Sequence, residues 1–593
     1  MASTLGTTPA RNTKRGAWRW LTGAAVILAL IAIAIITVGN NRPPVRAARE
    51  AGPREVAQGD SAMVVSASPL ASRVGVRLMN AGGNAVDAAV GVAFALAVTY
   101  PTAGNIGGGG LMLARMNGQT VALDFREVAP LAATRDMYVD AKGNVTDRSV
   151  TGALAVGVPG SVAGLWAAHQ KFGALPWRDV VQPAIDLAER GFVTDDAFSE
   201  DIGANIPRFN AASVALFVRN GQPVATGEQW KNADLAHTLR LVADLGAKGF
   251  YEGETAEKFV AEMKRGGGII SLDDLRRYEA KWRTPVEFSY RGHRVLTMPP
   301  VSSGGLTLAL IAGVLDGFNL RAMGWHSADA IHVMAEAERL AYARRNTLLA
   351  DPDFVPTPMA PFLSPDTAAA LRRSISMTAH APTTVAPDPV RGRHTTHFAV
   401  VDAKGNAVSL TTTLNTGYGS AVTVAGAGFL LNNEMDDFTA KVGAINAMGL
   451  RQGEANAIAP GKRMLSSMTP TIVLDSTGAT FLVVGAAGGA RIITAVAQVL
   501  SNVVDFGMPI GEALTAPRFH AQDYPDTLEL SMLSAPGIGY PDSIVGTLRA
   551  RGHHVLLVPD NGWAFGWAQA ILRSGGRWHG ATEPRGHGFA AGY

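Results

Sequence analysis

The chain has no cysteine, which excludes disulfides, thiolate catalysis and cysteine-ligated metal sites together. Charge is sparse and balanced. Charged residues make up 17% of the sequence, and 52 basic against 49 acidic side chains leave a formal charge of +3. With no long basic stripe and no RNA-binding aromatic motif, nothing marks it as a nucleic-acid binder. No repeat recurs at solenoid periods. The glycine run GNIGGGG, Gly104 to Gly110, lacks the lysine of a GxxxxGK[ST] phosphate loop and reads instead as close backbone packing at the start of a strand. What is present is 593 residues, 47% of them apolar, enough to bury a large core and to exclude general disorder.

One long hydrophobic run stands at the N-terminus. Leu21 to Val38 is apolar throughout and follows Arg11, Lys14, Arg15 and Arg19, so it is long enough to span a bilayer, with the N-terminus inside and the remainder outside. It reads as an uncleaved anchor, with a signal segment as the alternative, because the nearest small-residue cleavage site, Ala47-Ala48, lies well downstream. Either way the body of the protein is exported, to the periplasm or the extracellular space. The expected divisions are a basic cytoplasmic tail over 1–20, the anchor or signal over 21–38, a linker over 39–58, a large segment over 59–394 and a small one over 395–593.

Within the large segment, 59–100 reads as mainly helical, with DAAVGVAFALAV apolar on all sides as in a helix buried against a sheet. LMLARM and VALDFRE form an expected hairpin across MNGQ, and 160–290 is mostly helical. Proline and polar residues mark 378–393 as an exposed segment. From Thr395 the chain turns strand-rich, with TTHFAVV, NAVSLTTTL, GAGFLL, TPTIVLD and ATFLVVG, and helices follow around 491–503 and 510–515. The class is therefore layered, α/β or α+β.

The turn Asp402-Ala-Lys-Gly-Asn406 joins the first two of these strands. Centred on Lys404, it pairs Thr395 with Thr413, bringing two hydroxyls face to face. On geometry alone an ordinary threonine strand pair is the simpler reading. If the chain is cut between His394 and Thr395, however, the new α-amine sits beside its own hydroxyl and can serve as general base. Backbone N–H groups in Gly485-Ala-Ala-Gly-Gly489-Ala, between a strand and a helix, are candidate oxyanion donors, although packing is the simpler reading of such a loop taken alone.

TTHFAVVD, LNTGYG, LLNNEMDDF, RMLSSMTPTIV and GAAGGARIIT, in this order, closely resemble the small subunit of γ-glutamyltransferases, members of the N-terminal-nucleophile hydrolase superfamily. GNAVDAAV, GNIGGGG, DFRE, MPPVSSGG and DPDF resemble the large subunit. The resemblance runs from about residue 60 to the C-terminus. It implies an α+β fold of the four-layer αββα type, built from two subunits of one self-cleaved precursor. Thr395 is implied as nucleophile and cleavage residue, Thr413 as its hydroxyl partner, and Gly488 and Gly489 as the oxyanion glycines. Arg126, Ser466 and Ser467 are implied to bind the α-carboxylate of a γ-glutamyl group, and Asn415, Glu434 and Asp437 its α-amine. The charges make independent sense, since a zwitterion needs a cation at one end and an acid at the other.

The stretch between Asp437 and Ser466 resembles the family's active-site lid. Met448 stands where many bacterial relatives have an aromatic residue, so the lid is expected to close less tightly. The expected activity is cleavage of γ-glutamyl amides such as glutathione, with transfer to water, amino acids or peptides, and no metal or cofactor is implied. The alternatives are an acylase acting on β-lactam side chains or poly-γ-glutamate, and an unprocessed, anchored binding protein.

Overall fold

The computed structural model describes residues 6, 46–382, 395–532, 539–559 and 564–593. The chain divides into Met1–Arg46 and Ala47–Tyr593, and the architecture below is that of the second unit. The apolar run Leu21–Val38, residue His394 and most of the exposed segment 378–393 lie outside the described residues. Among those described, no helix is long and apolar enough to cross a membrane.

Two large sheets form the frame. The eight-stranded sheet runs Arg49–Ala51, Phe589–Gly592, Met63–Ser66, Thr395–Val401, Ala407–Thr413, Gly109–Met116, Gln119–Phe125, Lys281–Arg283. The seven-stranded sheet runs Val286–Tyr290, His293–Thr297, Thr471–Leu474, Thr480–Ala487, Trp567–Ser574, Arg577–Thr582, Val56–Gly59.

Strand periodicity explains how they stack. In Met63–Ser66, Val64 points into a core shared with the helices Pro69–Asn80 and Ala85–Thr99. Its neighbours Met63 and Val65 point the other way, into a core shared with Val483 and Ile571 of the second sheet. Ala399 and Val400 part in the same manner. The helices Gly304–Leu315, Ala328–Leu348 and Arg491–Val504 join the second core. Helices therefore cover the outer face of each sheet, and the sheets meet face to face.

Helix Ala85–Thr99 is buried along its whole length and opens on a reciprocal cap between Asn84 and Asp87. The hairpin across MNGQ is a two-residue turn, with Asn117 and Gly118 both at positive φ (51° and 83°), as the twist of paired strands favours.

Three expectations change. The stretch 39–58, read as a linker, carries two strands among its described residues, and both pair with strands from the far C-terminus. Local pattern cannot foresee partners more than five hundred residues away. The region 59–100 is not purely helical: Met63–Ser66 lies inside the sheet, and four residues buried on both faces show no alternation. GAGFLL is not a strand. It makes isolated bridges at Leu430 and Leu431, because Gly426 and Gly428 adopt left-handed φ of 73° and 74°, and a Cβ on Gly428 would lie 2.4 Å from Asn232 Oδ1.

Candidate active site

Thr395 begins the strand Thr395–Val401 and pairs directly with Thr413, as the turn at Lys404 predicts. Their hydroxyl oxygens lie 3.2 Å apart, and both residues are buried. The backbone N–H of Asn415 donates to Thr413 Oγ1 at 2.8 Å, which Asn415 achieves with a positive φ of 78°. The glycine run packs beside this pair. A Cβ on Gly108 would lie 2.2 Å from the Thr413 carbonyl oxygen, and one on Gly109 would lie 2.5 Å from Glu127 Oε2. Close backbone approach, not phosphate, accounts for these glycines.

Gly488 and Gly489 follow the strand Thr480–Ala487 and precede the helix Arg491–Val504. Their φ values of 129° and 59° are the kind glycine tolerates, and their carbonyls accept from Arg491 N and Ile492 N, opening the helix. The strand leading into this loop crosses the Thr395 strand closely: a Cβ on Gly485 would lie 2.4 Å from the His397 ring. His397 donates or accepts through Nδ1 with Thr411 Oγ1 at 2.9 Å, while Nε2 has no partner among the described residues. Burial pushes its pKa down to about 3. It is a neutral inter-sheet core residue.

The charged residues meet in a cluster of their own. Arg126 follows the strand Gln119–Phe125 and is 1% exposed. Its guanidinium makes short ion pairs with both Glu434 and Asp437, residues of one 3-10 turn, and lies 3.8 Å from Glu127. Burial pushes Asp437 up and Glu434 well above the usual carboxylate range, with Arg126 opposing it. Burial likewise lifts Glu127 to about 7, and neither of its oxygens has a hydrogen-bond partner among the described residues. For Arg126, burial favours the neutral form, but the carboxylates outweigh it and raise its pKa. The sequence predicts opposite roles for Arg126 and the two acids; the structure joins them in one mutually neutralising cluster.

Ser466 and Ser467 lie next to the loop MPPVSSGG. Ser466 N donates to Val301 O at 3.1 Å, and Ser303 donates to Ser466 O through both N and Oγ, at 2.8 and 2.6 Å. Arg345, fully buried on the helix Ala328–Leu348, donates to Ser467 Oγ and Ser303 Oγ, each at 3.0 Å. It makes no ion pair with a carboxylate among the described residues, and burial lowers its pKa while Asp437, farther off, opposes the shift. Sequence reasoning missed it: nothing in the helical run ERLAYARR distinguishes a fully buried Arg345 from a half-buried Arg344.

Met448 is buried over the glycine loop, and a Cβ on Gly489 would lie 2.8 Å from its sulfur. The turn that carries it is tied to the acidic pair: Asn446 Nδ2 donates to Asp437 Oδ1 at 3.1 Å and Ala447 N to Asp436 Oδ2 at 2.8 Å. Asn446 Oδ1 in turn accepts from Met448 N and Leu450 N, both at 3.0 Å. Burial pushes Asp436 up to about 6. These tethers were also missed, since DDF alone does not show which acid faces the turn at Met448.

Stacked sheets with a threonine at the start of a central strand, a paired hydroxyl and a glycine loop are the layout of an N-terminal-nucleophile acyltransferase or hydrolase. The family model of Gamma-glutamyltranspeptidase matches residues 71–593, and the chain belongs to that family. It is 49% identical to the glutathione hydrolase proenzyme of Pseudomonas sp. (strain A14), over 79% of this chain and 83% of that protein. To the glutathione hydrolase proenzyme of Escherichia coli (strain K12) it is 44% identical, over 88% and 90%. Among solved structures, a cephalosporin acylase from Bacillus halodurans matches with a TM-score of 0.80 at 28% identity, covering 93% of this chain and 98% of that one. A Helicobacter pylori gamma-glutamyltranspeptidase chain matches with 0.52 at 42% identity, covering 54% and 92%.

Proposed function

We propose that the protein is a self-processing γ-glutamyltransferase and glutathione hydrolase with Thr395 as its nucleophile. The observation that carries this reading is the register Thr395↔Thr413 at the first residue of a buried central strand. In processing, Thr395 Oγ attacks the His394 carbonyl carbon, the C–N bond breaks, and water hydrolyses the resulting ester. The freed α-amine then takes the hydroxyl proton of Thr395 as Oγ attacks the γ-carbonyl of the donor, and passes it to the departing amine. Water or an acceptor amine resolves the γ-glutamyl ester.

Each remaining residue has a role in this scheme. Thr413 orients the nucleophile, and the N–H groups of Gly488 and Gly489 receive the oxyanion. Arg126 takes the donor α-carboxylate with Ser466 and Ser467, the latter held by Arg345. Glu434, Asp437 and Asn415 take the α-ammonium. A zwitterion fits because it can insert between Arg126 and its acids, exchanging one set of ion pairs for two of the same kind. The proenzyme names of the relatives and the basic residues before Leu21 support an exported enzyme of two subunits, held at the membrane or released from it.

Purified protein should give two chains, the smaller beginning at Thr395 by N-terminal sequencing, and should release a chromogenic γ-glutamyl anilide. One intact chain without turnover would favour a binding protein. Two chains that spare the anilide but open a β-lactam side-chain amide would favour an acylase.

The lid carries a further prediction. The acyl-enzyme partitions between water and a bound amine, and the thioether of Met448 offers no hydroxyl and packs more loosely than an aromatic ring. Met448→Tyr should therefore increase the share of γ-glutamyl-glycylglycine relative to glutamate across a range of acceptor. An unchanged ratio would show that this position does not control partitioning.

A further inference from the structure

The helix that delivers Arg345 to Ser467 carries, toward its N-terminal end, a second cluster that no step above uses. His332 and Glu336 stand one turn apart and share a face. His553, in the turn before the strand Val555–Pro559, brings Nε2 to 2.7 Å from His332 Nδ1. The donor atoms of His332, Glu336 and His553 all lie within 4.8 Å of one another, and all three residues are buried. A third imidazole lies beside the group: His380 Nδ1 contacts Glu336 Oε1, and its ring stacks on His553 with centroids 4.6 Å apart.

The outward atoms of these side chains are held as the supports of metal ligands are. His332 Nε2 lies 2.7 Å from the Ser376 carbonyl oxygen, which fixes a proton there and leaves the Nδ1 lone pair facing the cluster. Asp526 Oδ2 lies 3.1 Å from His380 Nε2, so that ring sits between two carboxylates and positions Glu336. Arg339 Nη2 donates to the other Glu336 oxygen at 2.8 Å.

We propose that His332 Nδ1, His553 Nε2 and a Glu336 carboxylate oxygen form a binding site for one divalent transition-metal ion of the zinc class, with water as the fourth ligand. Two imidazole nitrogens and one carboxylate oxygen, completed by water, suit a tetrahedral Zn²⁺ or Co²⁺ and do not suit Ca²⁺ or Mg²⁺, which take oxygen donors. The proton between His332 and His553 moves to His553 Nδ1 when the ion enters. From His332 to Arg345 the helix rises about 20 Å, so the ion acts as a brace and takes no part in acyl transfer. It ties the helix Ala328–Leu348, which precedes Thr395, to His553, which follows it.

The test uses untagged, full-length protein treated with chelator, dialysed and titrated with Zn²⁺ by calorimetry. One equivalent per chain is expected, with a rise in Tm of a few degrees and, with Co²⁺, the visible bands of tetrahedral coordination. His553→Gln should weaken zinc binding at least about 100-fold and Asp526→Asn about 10-fold. Uptake of less than half an equivalent, or unchanged affinity in His553→Gln, overturns the proposal and leaves the cluster a hydrogen-bonded network. Should that variant fail to fold, anomalous scattering from zinc-soaked crystals of the unaltered protein decides: a peak among the three donors supports the site, and no peak there overturns it. None of these readouts depends on γ-glutamyl turnover, so failure here is separable from failure of the acyl-transfer reading.

Discussion

Thr395→Ala should yield a single folded chain with no measurable γ-glutamyl turnover. In the proposed mechanism, cleavage before residue 395 requires an oxygen nucleophile on that residue, because the Thr395 hydroxyl both attacks the preceding carbonyl and later carries the acyl group. Alanine removes that oxygen and little else: Thr395 is buried, and its hydroxyl meets the Thr413 hydroxyl at 3.2 Å. The strand pairing from Thr396↔Thr412 to Val401↔Ala407 is made by backbone groups, so the fold should survive. Thr395→Ser keeps the oxygen and should still cleave, more slowly, since the β-methyl that fixes the rotamer is gone. Denaturing gels and intact mass separate the outcomes. Efficient production of 1–394 and 395–593 fragments by purified Thr395→Ala would remove Thr395 as nucleophile, and with it the acyl-enzyme.

The hairpin around Lys404 was legible in the sequence because its information is local: a five-residue turn fixes the register of both flanking strands, and the register places the two hydroxyls. Helix Ala85–Thr99 was legible for the same reason, since burial on every side writes itself as an unbroken apolar run. The edge strand Arg49–Ala51 was not, because it exists only by pairing with Phe589–Gly592, and no local pattern encodes a partner at the other end of the chain. Residue types at the site were legible through resemblance, but their mutual arrangement was not. Arg126, Glu434 and Asp437 read as opposite ends of a ligand pocket, whereas the structure shows them touching. Arg345 escaped notice because an arginine without a carboxylate partner cannot be told in sequence from one at the surface. His332, Glu336, His380 and His553 escaped for a further reason: only one pair among them has a recognisable spacing, and the rest are assembled by folding.

Arg126→Lys and Asp437→Asn should both fold and self-process yet lose most of their turnover. The first keeps the charge but replaces a planar fork with a point donor, so it cannot hold a carboxylate bidentately while also reaching the Met464 carbonyl, which Arg126 Nε meets at 3.3 Å. The second removes one of the acids available to the ligand ammonium and leaves Arg126 relying on Glu434. Truncating one partner of a buried charge pair costs about 2 to 5 kcal/mol, so kcat/KM should fall roughly 30- to 4,000-fold. Processing should be spared because its chemistry uses Thr395, Thr413 and the glycine loop rather than a glutamyl head. The discriminating measurement compares a γ-glutamyl anilide with an analogue lacking the α-carboxylate. Arg126→Lys should depress turnover of the first and barely change the already slow turnover of the second, since the contact it weakens is absent there. Equal losses on both substrates would mean that Arg126 supports the site through Glu434 and Asp437 alone and does not touch the carboxylate.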